Sequence, residues 1–464
     1  MNLEVQRLEP LIEPLMIEPP PRSFQAPRVG QTISMPNYPV SAADPASEIA
    51  SRARSFFAKG DFEAAAGEYE RLAEMRPGTL SYCLLGGASY SAGDLKGSAA
   101  AYRKAIKAAQ KARRAGHPVP REIEAIAHCG LGIDLILLGT LDEALTEFRT
   151  LVKANPQDTL AYYLLGDVHA LRGHRQLAID AYEKVLELNS NLTEPFLYIA
   201  KLYTELGKSS QTRQDQFFSK AIETYRRLLE VWPDSAAAQN NIGVLLFWLG
   251  DTGAAITAYE RVLELDPTDP EARTNLGAAY LDARRFSEAK EAFETAIKQT
   301  KHRGANEVRG RDLAWRQHLG LAAALDHLYE QQAIGRKDSA LLVAAESALV
   351  QLTALDSLNA LSHHLLGVVR AELGDLENAQ RDLLRAVQLD PENQEVQAAL
   401  QKVMAARYAP GQPGDEAEER RVRETLQVLN TLLEGDEEEQ TETFARLKQA
   451  LEEDRLSERR LFSD

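Results

Sequence analysis

The 464-residue sequence has only two cysteines, Cys83 and Cys129, which stand 46 positions apart. Two cysteines cannot form a disulfide framework, and this spacing matches no zinc-binding pattern. Nothing in the cysteine content therefore indicates an oxidising compartment. We expect both cysteines to be small buried side chains.

Long hydrophobic runs are also missing. A membrane-spanning helix needs about 20 apolar residues, whereas the longest candidate, 131–139, is much shorter and contains Asp134. Residues 1–21 interleave acids and prolines with apolar residues, so they contain no continuous apolar core of a signal peptide. We therefore expect a cytoplasmic protein without a signal peptide and without membrane contact.

Basic residues are in deficit, with 53 Lys and Arg against 69 Asp and Glu and a net charge of −16. This balance disfavours binding to nucleic-acid backbones and anionic lipid, because such binding depends on Lys and Arg displacing counterions. Two local basic clusters nevertheless occur, and we interpret them first as solvated faces. The alternative ligands are an acidic partner, including the protein's own acidic tail, and RNA. The clusters are Lys104, Lys107, Lys111, Arg113 and Arg114, and Lys298, Lys301, His302, Arg303, Arg309 and Arg311.

Signatures of catalysis are absent from the sequence. There is no H-E-x-x-H, C-x-x-C or G-x-S-x-G motif and no calcium-binding loop. The string Gly207-Lys208-Ser209 resembles the end of a phosphate-binding loop, but Leu202 occupies the position where that motif requires its first glycine. We interpret this string as a turn between helices and predict a non-catalytic protein with no cofactor and no metal. The alternative is that the protein is a regulatory subunit of an enzyme complex.

The distribution of proline divides the chain into four parts. Residues 1–44 are rich in proline and predict a disordered tail. Residues 45–408 carry Ala and Leu at helical spacing, with Gly in the middle and Pro or Asp-Pro at the end of each segment. The linker 409–414 then precedes the acidic segment 415–464, which has a net charge of −8.

Internal repetition is the strongest pattern in the body of the chain. Gly139, Gly173 and Gly207 are equally spaced, and Gly250 follows at a longer interval that an insertion explains. The unit 236–269 shows the recurring order, which is a small residue, a turn glycine, Ala, an aromatic residue and a closing proline. The residues in that unit are Ile242, Gly243, Gly250, Ala255, Tyr259, Val262 and Pro267. This order, and a period of about 34 residues, resemble the tetratricopeptide repeat (TPR).

The resemblance implies an all-α fold, a right-handed superhelix or α-solenoid of about nine helix-turn-helix repeats with flexible termini. The sequence accommodates nine units, two of them with insertions between the helices. The units are 46–79, 79–112, 125–158, 159–192, 193–235, 236–269, 270–303, 313–359 and 360–393. Residues 391–408 fit a capping helix that covers the end of the array.

The signature residues have structural roles. Small residues at Gly243 and Ala255 let two helices approach closely, and Tyr259 fills the gap against the neighbouring unit. Gly250 supplies the left-handed backbone conformation that ends a first helix, and Pro267 follows a second helix because proline cannot continue one. None of these residues identifies a ligand.

In the TPR family the first helix of each repeat lines a concave groove, so the resemblance implies a scaffold or adaptor that binds a peptide or helix of a partner protein. Asn241 and Asn275 stand at equivalent positions, similar to the asparagine ladder that binds a peptide backbone in some members. Amides that satisfy only each other or water are the alternative. The candidate groove residues are Asn240, Asn241, Val244, Phe247, Trp248, Thr274, Asn275, Tyr163, Asp167 and Tyr198.

Upstream, the equivalent groove positions are apolar, which favours a hydrophobic partner segment or burial against the protein's own tail. This apolar set is Ile126, Ile133, Ile136, Leu137, Leu160, Tyr163 and Leu164.

The acidic segment 415–464 carries two apolar stripes at helical spacing, which predict two amphipathic helices. These helices are either a second docking element or an autoinhibitory one. The sequence of the segment resembles the C-terminal piece of small bacterial antitoxin-like proteins, which implies a bacterial source.

Overall fold

The computed structural model describes residues 45–210, 212–303, 308–332 and 338–407. Within these ranges it contains nineteen helices and no strand, which confirms the all-α prediction. The predicted proline-rich segment 1–44, the linker 409–414 and the acidic segment 415–464 lie outside the described residues.

The helices follow one another in nine helix-turn-helix pairs and a final single helix, in agreement with the predicted number of repeats. The pairs are α1 (Pro45–Ala58) with α2 (Phe62–Met75), α3 (Thr79–Ser91) with α4 (Leu95–Arg114), α5 (Arg121–Leu137) with α6 (Leu141–Ala154), α7 (Thr159–Leu171) with α8 (Arg175–Leu188), α9 (Glu194–Lys208) with α10 (Gln214–Val231), α11 (Ala236–Trp248) with α12 (Thr252–Leu265), α13 (Pro270–Asp282) with α14 (Phe286–Arg303), α15 (Val308–Glu330) with α16 (Ser339–Leu355), and α17 (Ala360–Glu372) with α18 (Leu376–Leu389); the last helix is α19 (Gln394–Arg407).

The described chain divides into two compact units, residues 45–241 and residues 242–407. In the first unit, aromatic residues from the second helices, such as Tyr102 and Phe148, lie at the centre of the core. In the second unit, Tyr259 and Phe293 have the same role, and α19 buries Val396, Leu400, Val403 and Met404 at the end of the chain described. Each repeat therefore completes its core with its neighbours, as expected of stacked units that cannot bury their own apolar faces.

A Gly-Asp pair sets the turn between the two helices in four of the repeats. The glycine ends the first helix with a positive φ. Glycine adopts this conformation with little steric strain because it has no side chain. The aspartate then accepts a hydrogen bond from the backbone N–H three residues later and so caps the second helix. The pairs are Gly60-Asp61, Gly93-Asp94, Gly250-Asp251 and Gly374-Asp375. The left-handed conformation predicted for Gly250 is thus confirmed.

Glycines inside the first helices allow the second helices to pack closely. A Cβ atom at Gly243 would lie only 2.6 Å from the ring of Tyr259, which is fully buried. Gly166 stands in the same relation to the ring of Tyr182. The predicted close packing at Gly243 is therefore confirmed, and Tyr259 fills the space within its own helix pair; Ala255 is fully buried.

The prediction that Gly207 lies at a turn is wrong. Gly207 is inside α9, and a Cβ atom there would lie 2.4 Å from the ring of Phe218 on α10. The predicted insertion between these helices, 208–220, contributes seven of its residues to α10, which is 18 residues long. Gly207 therefore provides close helix packing, and the extra residues lengthen a helix instead of a loop.

Candidate partner-binding site

The ten predicted groove residues are mostly buried. Tyr163, Phe247 and Trp248 are half-buried, and the other seven are at most 8% exposed. The seven are Asn240, Asn241, Val244, Thr274, Asn275, Asp167 and Tyr198. Their participation in binding stays a prediction, and what the structure provides is a description of their contacts inside each unit.

The two asparagines of α11 are engaged with each other and with the preceding repeat. Asn240 Nδ2 donates a hydrogen bond to Asn241 Oδ1 at 3.3 Å, and Asn241 Nδ2 donates one to the hydroxyl oxygen of Tyr225 at 3.1 Å. Both side chains have almost no exposed surface. Buried amides need such partners because an unsatisfied polar group is costly. In this structure the amides of Asn240 and Asn241 are thus satisfied inside the first unit.

A buried hydrogen-bond network joins three helices of the second unit. Gln317 of α15 donates from Nε2 to the hydroxyl oxygen of Thr274 on α13, at 3.0 Å, and to that of Thr300 on α14, at 2.8 Å. Thr274 in turn donates to the carbonyl oxygen of Pro270 at 2.6 Å. We call Thr274, Thr300 and Gln317 the polar joint. Gln317 and Thr300 were not identified from the sequence, although Gln317 occupies the same repeat position as Thr274 and Asn240.

His318 lies next to the polar joint and is 8% exposed. Burial, followed by the nearby charge of Lys301, lowers the pKa of His318 to about 4. The imidazole is therefore neutral near pH 7, as expected where a charge would be costly to desolvate.

In the first unit, Tyr163, Tyr182 and Tyr198 form an aromatic cluster across two repeats. The ring centroids of Tyr163 and Tyr182 are 5.7 Å apart, and those of Tyr182 and Tyr198 are also 5.7 Å apart. Tyr182 donates a hydrogen bond of 2.5 Å to Oδ1 of Asp167. Burial, the charge of Asp167 and a hydrogen bond with Tyr198 raise the pKa of Tyr163. Three hydroxyl groups and one carboxyl group thus lie in one cluster formed by α7, α8 and α9.

Two pairs of apolar side chains remain accessible on the first helices of the third and fourth repeats. Leu137 of α5 and Leu171 of α7 stand one repeat apart in sequence and are 39% and 45% exposed. Ile126 and Leu160 have the same spacing, the former half-buried and the latter 39% exposed. We call these four residues the apolar pairs. Leu171 was missing from the predicted apolar set, although its spacing from Leu137 could have identified it.

Three further members of the predicted apolar set belong to the core. Ile133, Ile136 and Leu164 are buried. Two ion pairs involve arginines close to Leu171 in sequence, with Arg172 Nη2 2.8 Å from Asp142 Oδ1 and Arg175 Nε 3.0 Å from Glu205 Oε2. An accessible apolar surface beside charged groups is the usual composition of a protein interaction site.

Among the helices that the structure describes, none is both long and apolar enough to cross a bilayer.

Family models described as tetratricopeptide repeat match more than half of the chain. One model matches residues 51–113, 129–192 and 213–270, a second matches 249–306 and a third matches 360–393. The matched ranges fall in both compact units.

Curated proteins match only a part of this chain. A mouse protein O-mannosyl-transferase is 29% identical over 109 residues, which are 24% of this chain and 11% of that protein. The bovine DnaJ homolog subfamily C member 3 is 30% identical over 97 residues, which are 21% of this chain and 19% of that protein. The Hsp70-Hsp90 organising protein of Plasmodium falciparum is 28% identical over 110 residues, which are 24% of this chain and 19% of that protein. The chain thus matches a fifth or less of each of these three relatives.

Solved structures of repeat proteins also match. The match to the C-terminal part of a TPR repeat-containing protein from Cytophaga hutchinsonii covers 57% of this chain and 98% of that structure's chain. Its sequence identity is 16% and its TM-score is 0.46. A tetratricopeptide repeat protein from Parabacteroides merdae covers 60% of this chain and 98% of its own, with 19% identity and a TM-score of 0.38. The family-model matches, the nine helix pairs and the glycine-aromatic contacts within them together show that the chain belongs to the tetratricopeptide repeat family.

Proposed function

We propose that the protein is a non-catalytic scaffold that binds an apolar segment of a partner protein against the apolar pairs. The observation that supports this proposal is the exposure of Leu137, Leu160 and Leu171 at positions that recur from one repeat to the next. Equivalent positions of stacked repeats point in equivalent directions, so a motif repeated in two units presents a repeated surface.

The physical argument rests on the free energy of burying apolar surface. Single exposed leucines are common on protein surfaces and need no explanation, whereas a repeated set marks a surface that a ligand can cover. Complete burial of a fully exposed leucine side chain contributes about 1.5 to 3 kcal/mol, and a partner can gain the part of this that corresponds to the 39% to 45% of each side chain still exposed. A partner peptide or helix that covers three such side chains therefore gains affinity without any charged contact.

The relatives support a scaffold role without identifying the partner. The Plasmodium relative is named as an organising protein of Hsp70 and Hsp90, and it shares a stretch of 110 residues with this chain. The match to the mouse O-mannosyl-transferase covers 11% of that enzyme, and we do not transfer its activity. Of the groove residues predicted from the sequence, Tyr163 is half-buried on α7 and belongs to the proposal as a secondary contact, whereas Asn241 and Asn275 are only 1% exposed.

The test compares partner capture by the wild-type protein and by the triple variant Leu137→Ser/Leu160→Ser/Leu171→Ser, from an extract of the source organism. We expect the triple variant to lose at least tenfold of each specific partner, measured by quantitative mass spectrometry. The matched control is Leu177→Ser, because Leu177 is 48% exposed but lies on the second helix α8.

Retention of all wild-type partners by the triple variant would contradict the proposal. Equal losses in the triple variant and in Leu177→Ser would also contradict it, because they would indicate nonspecific adhesion to exposed leucine. Circular dichroism of all three proteins before capture shows whether each is folded.

A further inference from the structure

Helix α4 differs from the rest of this acidic protein in its charge. Its 20 residues include seven Lys and Arg and no Asp or Glu. Its apolar residues, among them Tyr102 and Ala105, are buried against neighbouring repeats. The spacing of five exposed cations places them together on the opposite side of the helix. We call these five the basic face, and they are Lys96, Lys104, Lys107, Lys111 and Arg114.

The basic face is not neutralised by the residues around it. The other two cations of α4 each have a carboxylate partner, with Arg103 Nη2 2.7 Å from Glu143 Oε2 and Arg113 paired with Glu124. Within the part of the chain that the structure describes, no member of the basic face forms an ion pair with a carboxylate. Lys104 instead lies 5.9 Å from the ring centroid of Tyr82.

The sequence contains a stretch of complementary charge outside the described residues. Between Glu424 and Ala445 there is no Lys or Arg, and residues 434–442 include six acids. These acids are Glu434, Asp436, Glu437, Glu438, Glu439 and Glu442. The stretch therefore offers six carboxylates to the five cations of the basic face.

We propose that the basic face of α4 binds the acidic stretch 434–442 of the same chain. This inference goes beyond the proposed function, because the basic face lies on a second helix and shares no residue with the apolar pairs. Each exposed ion pair is individually weak, so a free acidic peptide needs a high concentration to bind. A tethered segment meets its site at an effective concentration on the order of millimolar, which is sufficient for a weak contact.

Nucleic acid is the less suitable occupant of the basic face. The chain as a whole is acidic, with a net charge of −16, which repels a polyanion. Single-stranded nucleic acid is also bound through exposed aromatic rings on which its bases stack, and Tyr82 beside Lys104 is half-buried. An acidic polypeptide requires only the cations.

The first test is zero-length cross-linking of the full-length protein with a carbodiimide, which joins a lysine to a carboxylate in direct contact. We expect cross-links from Lys104, Lys107 or Lys111 to residues 434–442, and we expect 0.5 M NaCl to reduce them at least fivefold. An equal mixture of ¹⁴N- and ¹⁵N-labelled protein distinguishes contacts within one chain from contacts between copies. Links between light and heavy chains, or links spread evenly over all surface lysines, would overturn the proposal.

The second test measures binding of a fluorescent peptide of residues 430–446 to full-length variants. In the variant Asp436→Asn/Glu437→Gln/Glu438→Gln/Glu439→Gln, the protein's own segment is neutralised and no longer competes with the peptide for the basic face. We therefore expect this variant to bind the peptide at least tenfold more tightly than wild type does. Adding Lys104→Gln/Lys107→Gln/Lys111→Gln should abolish this gain. The control Lys59→Gln/Lys153→Gln/Lys298→Gln removes the same charge from exposed lysines elsewhere and should preserve it.

Equal peptide binding by all four proteins would show that the basic face does not select this segment. Tighter binding of a fluorescent RNA oligonucleotide than of the peptide, lost in the Lys104→Gln/Lys107→Gln/Lys111→Gln protein, would assign the face to nucleic acid and overturn the proposal. Neither experiment involves the leucines of the apolar pairs, so its failure is separable from failure of the scaffold proposal.

Discussion

Two regions of the molecule use the first helices of their repeats for different purposes. On α5 and α7 of the first unit, Leu137 and Leu171 leave apolar surface exposed. On α13 and α15 of the second unit, Thr274 and Gln317 carry polar groups that are fully enclosed. Leu137 and Leu171 occupy position 13 of their repeats, whereas Thr274 and Gln317 occupy position 5. In these repeats, position 13 presents accessible apolar surface and position 5 is enclosed in the joint between repeats.

The difference also shows which residues are suited to bind a ligand. An exposed apolar residue gains free energy only when a partner covers it, so its loss affects binding. A buried amide such as that of Gln317 already has its partners inside the protein, so its loss affects stability. Four sets of substitutions, ordered from the largest expected effect to the smallest, test this distinction.

The largest effect is expected for Gln317→Ala. The substitution removes the donor shared by Thr274 and Thr300 and leaves a cavity, so we expect the free energy of unfolding to fall by about 2 to 3 kcal/mol. Urea denaturation followed by circular dichroism measures this change in the free energy of unfolding. Gln331→Ala, at an exposed position, should change it by less than about 0.5 kcal/mol. Similar values for both variants would contradict the structural role of the polar joint.

A smaller effect is expected for Asn241→Ala, which removes the hydrogen bond to Tyr225. We expect a loss of about 1 to 2 kcal/mol in the free energy of unfolding. The pair Asn241→Ala and Tyr225→Phe should be non-additive in a double-mutant cycle, because both remove the same contact. Additive losses would show that the two side chains do not stabilise each other.

The two units should respond to pH in opposite directions. Burial raises the pKa of Asp134 from 3.8 to about 7, so the folded first unit binds the extra proton and loses stability as pH rises from about 4 to 7. The geometry agrees, because the Ser98 hydroxyl lies 2.9 Å from the Gly86 carbonyl and 2.6 Å from Asp134 Oδ2, and its single proton serves only one of them. A protonated Asp134 donates to Ser98 and resolves this conflict.

In the second unit, His318 has a lowered pKa of about 4, so the unfolded chain binds the extra proton and stability rises with pH from about 4 to 6.5. Each group contributes a slope of up to about 1.4 kcal/mol per pH unit. Hydrogen exchange of amides in α5 and in α15 between pH 4 and 7, corrected for intrinsic rates, measures the two slopes separately. Asp134→Asn should abolish the slope in α5 and leave that in α15 unchanged; loss of both, or of neither, would contradict the assignment.

The smallest effect on stability is expected for Leu137→Ser and Leu171→Ser. Because both side chains are partly exposed and each is the last residue of its helix, we expect the free energy of unfolding to fall by about 1 kcal/mol or less in each. Thermal unfolding checks this. A destabilisation as large as that of Gln317→Ala would show that these leucines serve the core and would remove the contrast between the two regions.

Much of the fold could be predicted from the sequence because it depends on residues that recur from repeat to repeat and act within one helix pair. Gly250 and Tyr259 act within one helix pair, so the repeat period alone is enough to assign their roles. Two departures from the repeat pattern could not be predicted from the sequence. Gly207 has the spacing of a turn glycine but lies in a helix, and Arg284 adopts a φ of 56° at a turn where other repeats have glycine. At Gly207, packing against Phe218 of the same helix pair overrides the local preference.

The sequence by itself determined the helix-turn-helix repeat, the number of repeats and the segments of extreme charge, because periodicity and composition depend only on the order of residues. Only the tertiary structure decided which side chains of a first helix are accessible. Leu164 and Leu171 are the same residue type on the same helix, yet the first is 4% and the second 45% exposed. That difference depends on the neighbouring repeats, which cover one face of each helix and leave the other open, and no single repeat contains this information.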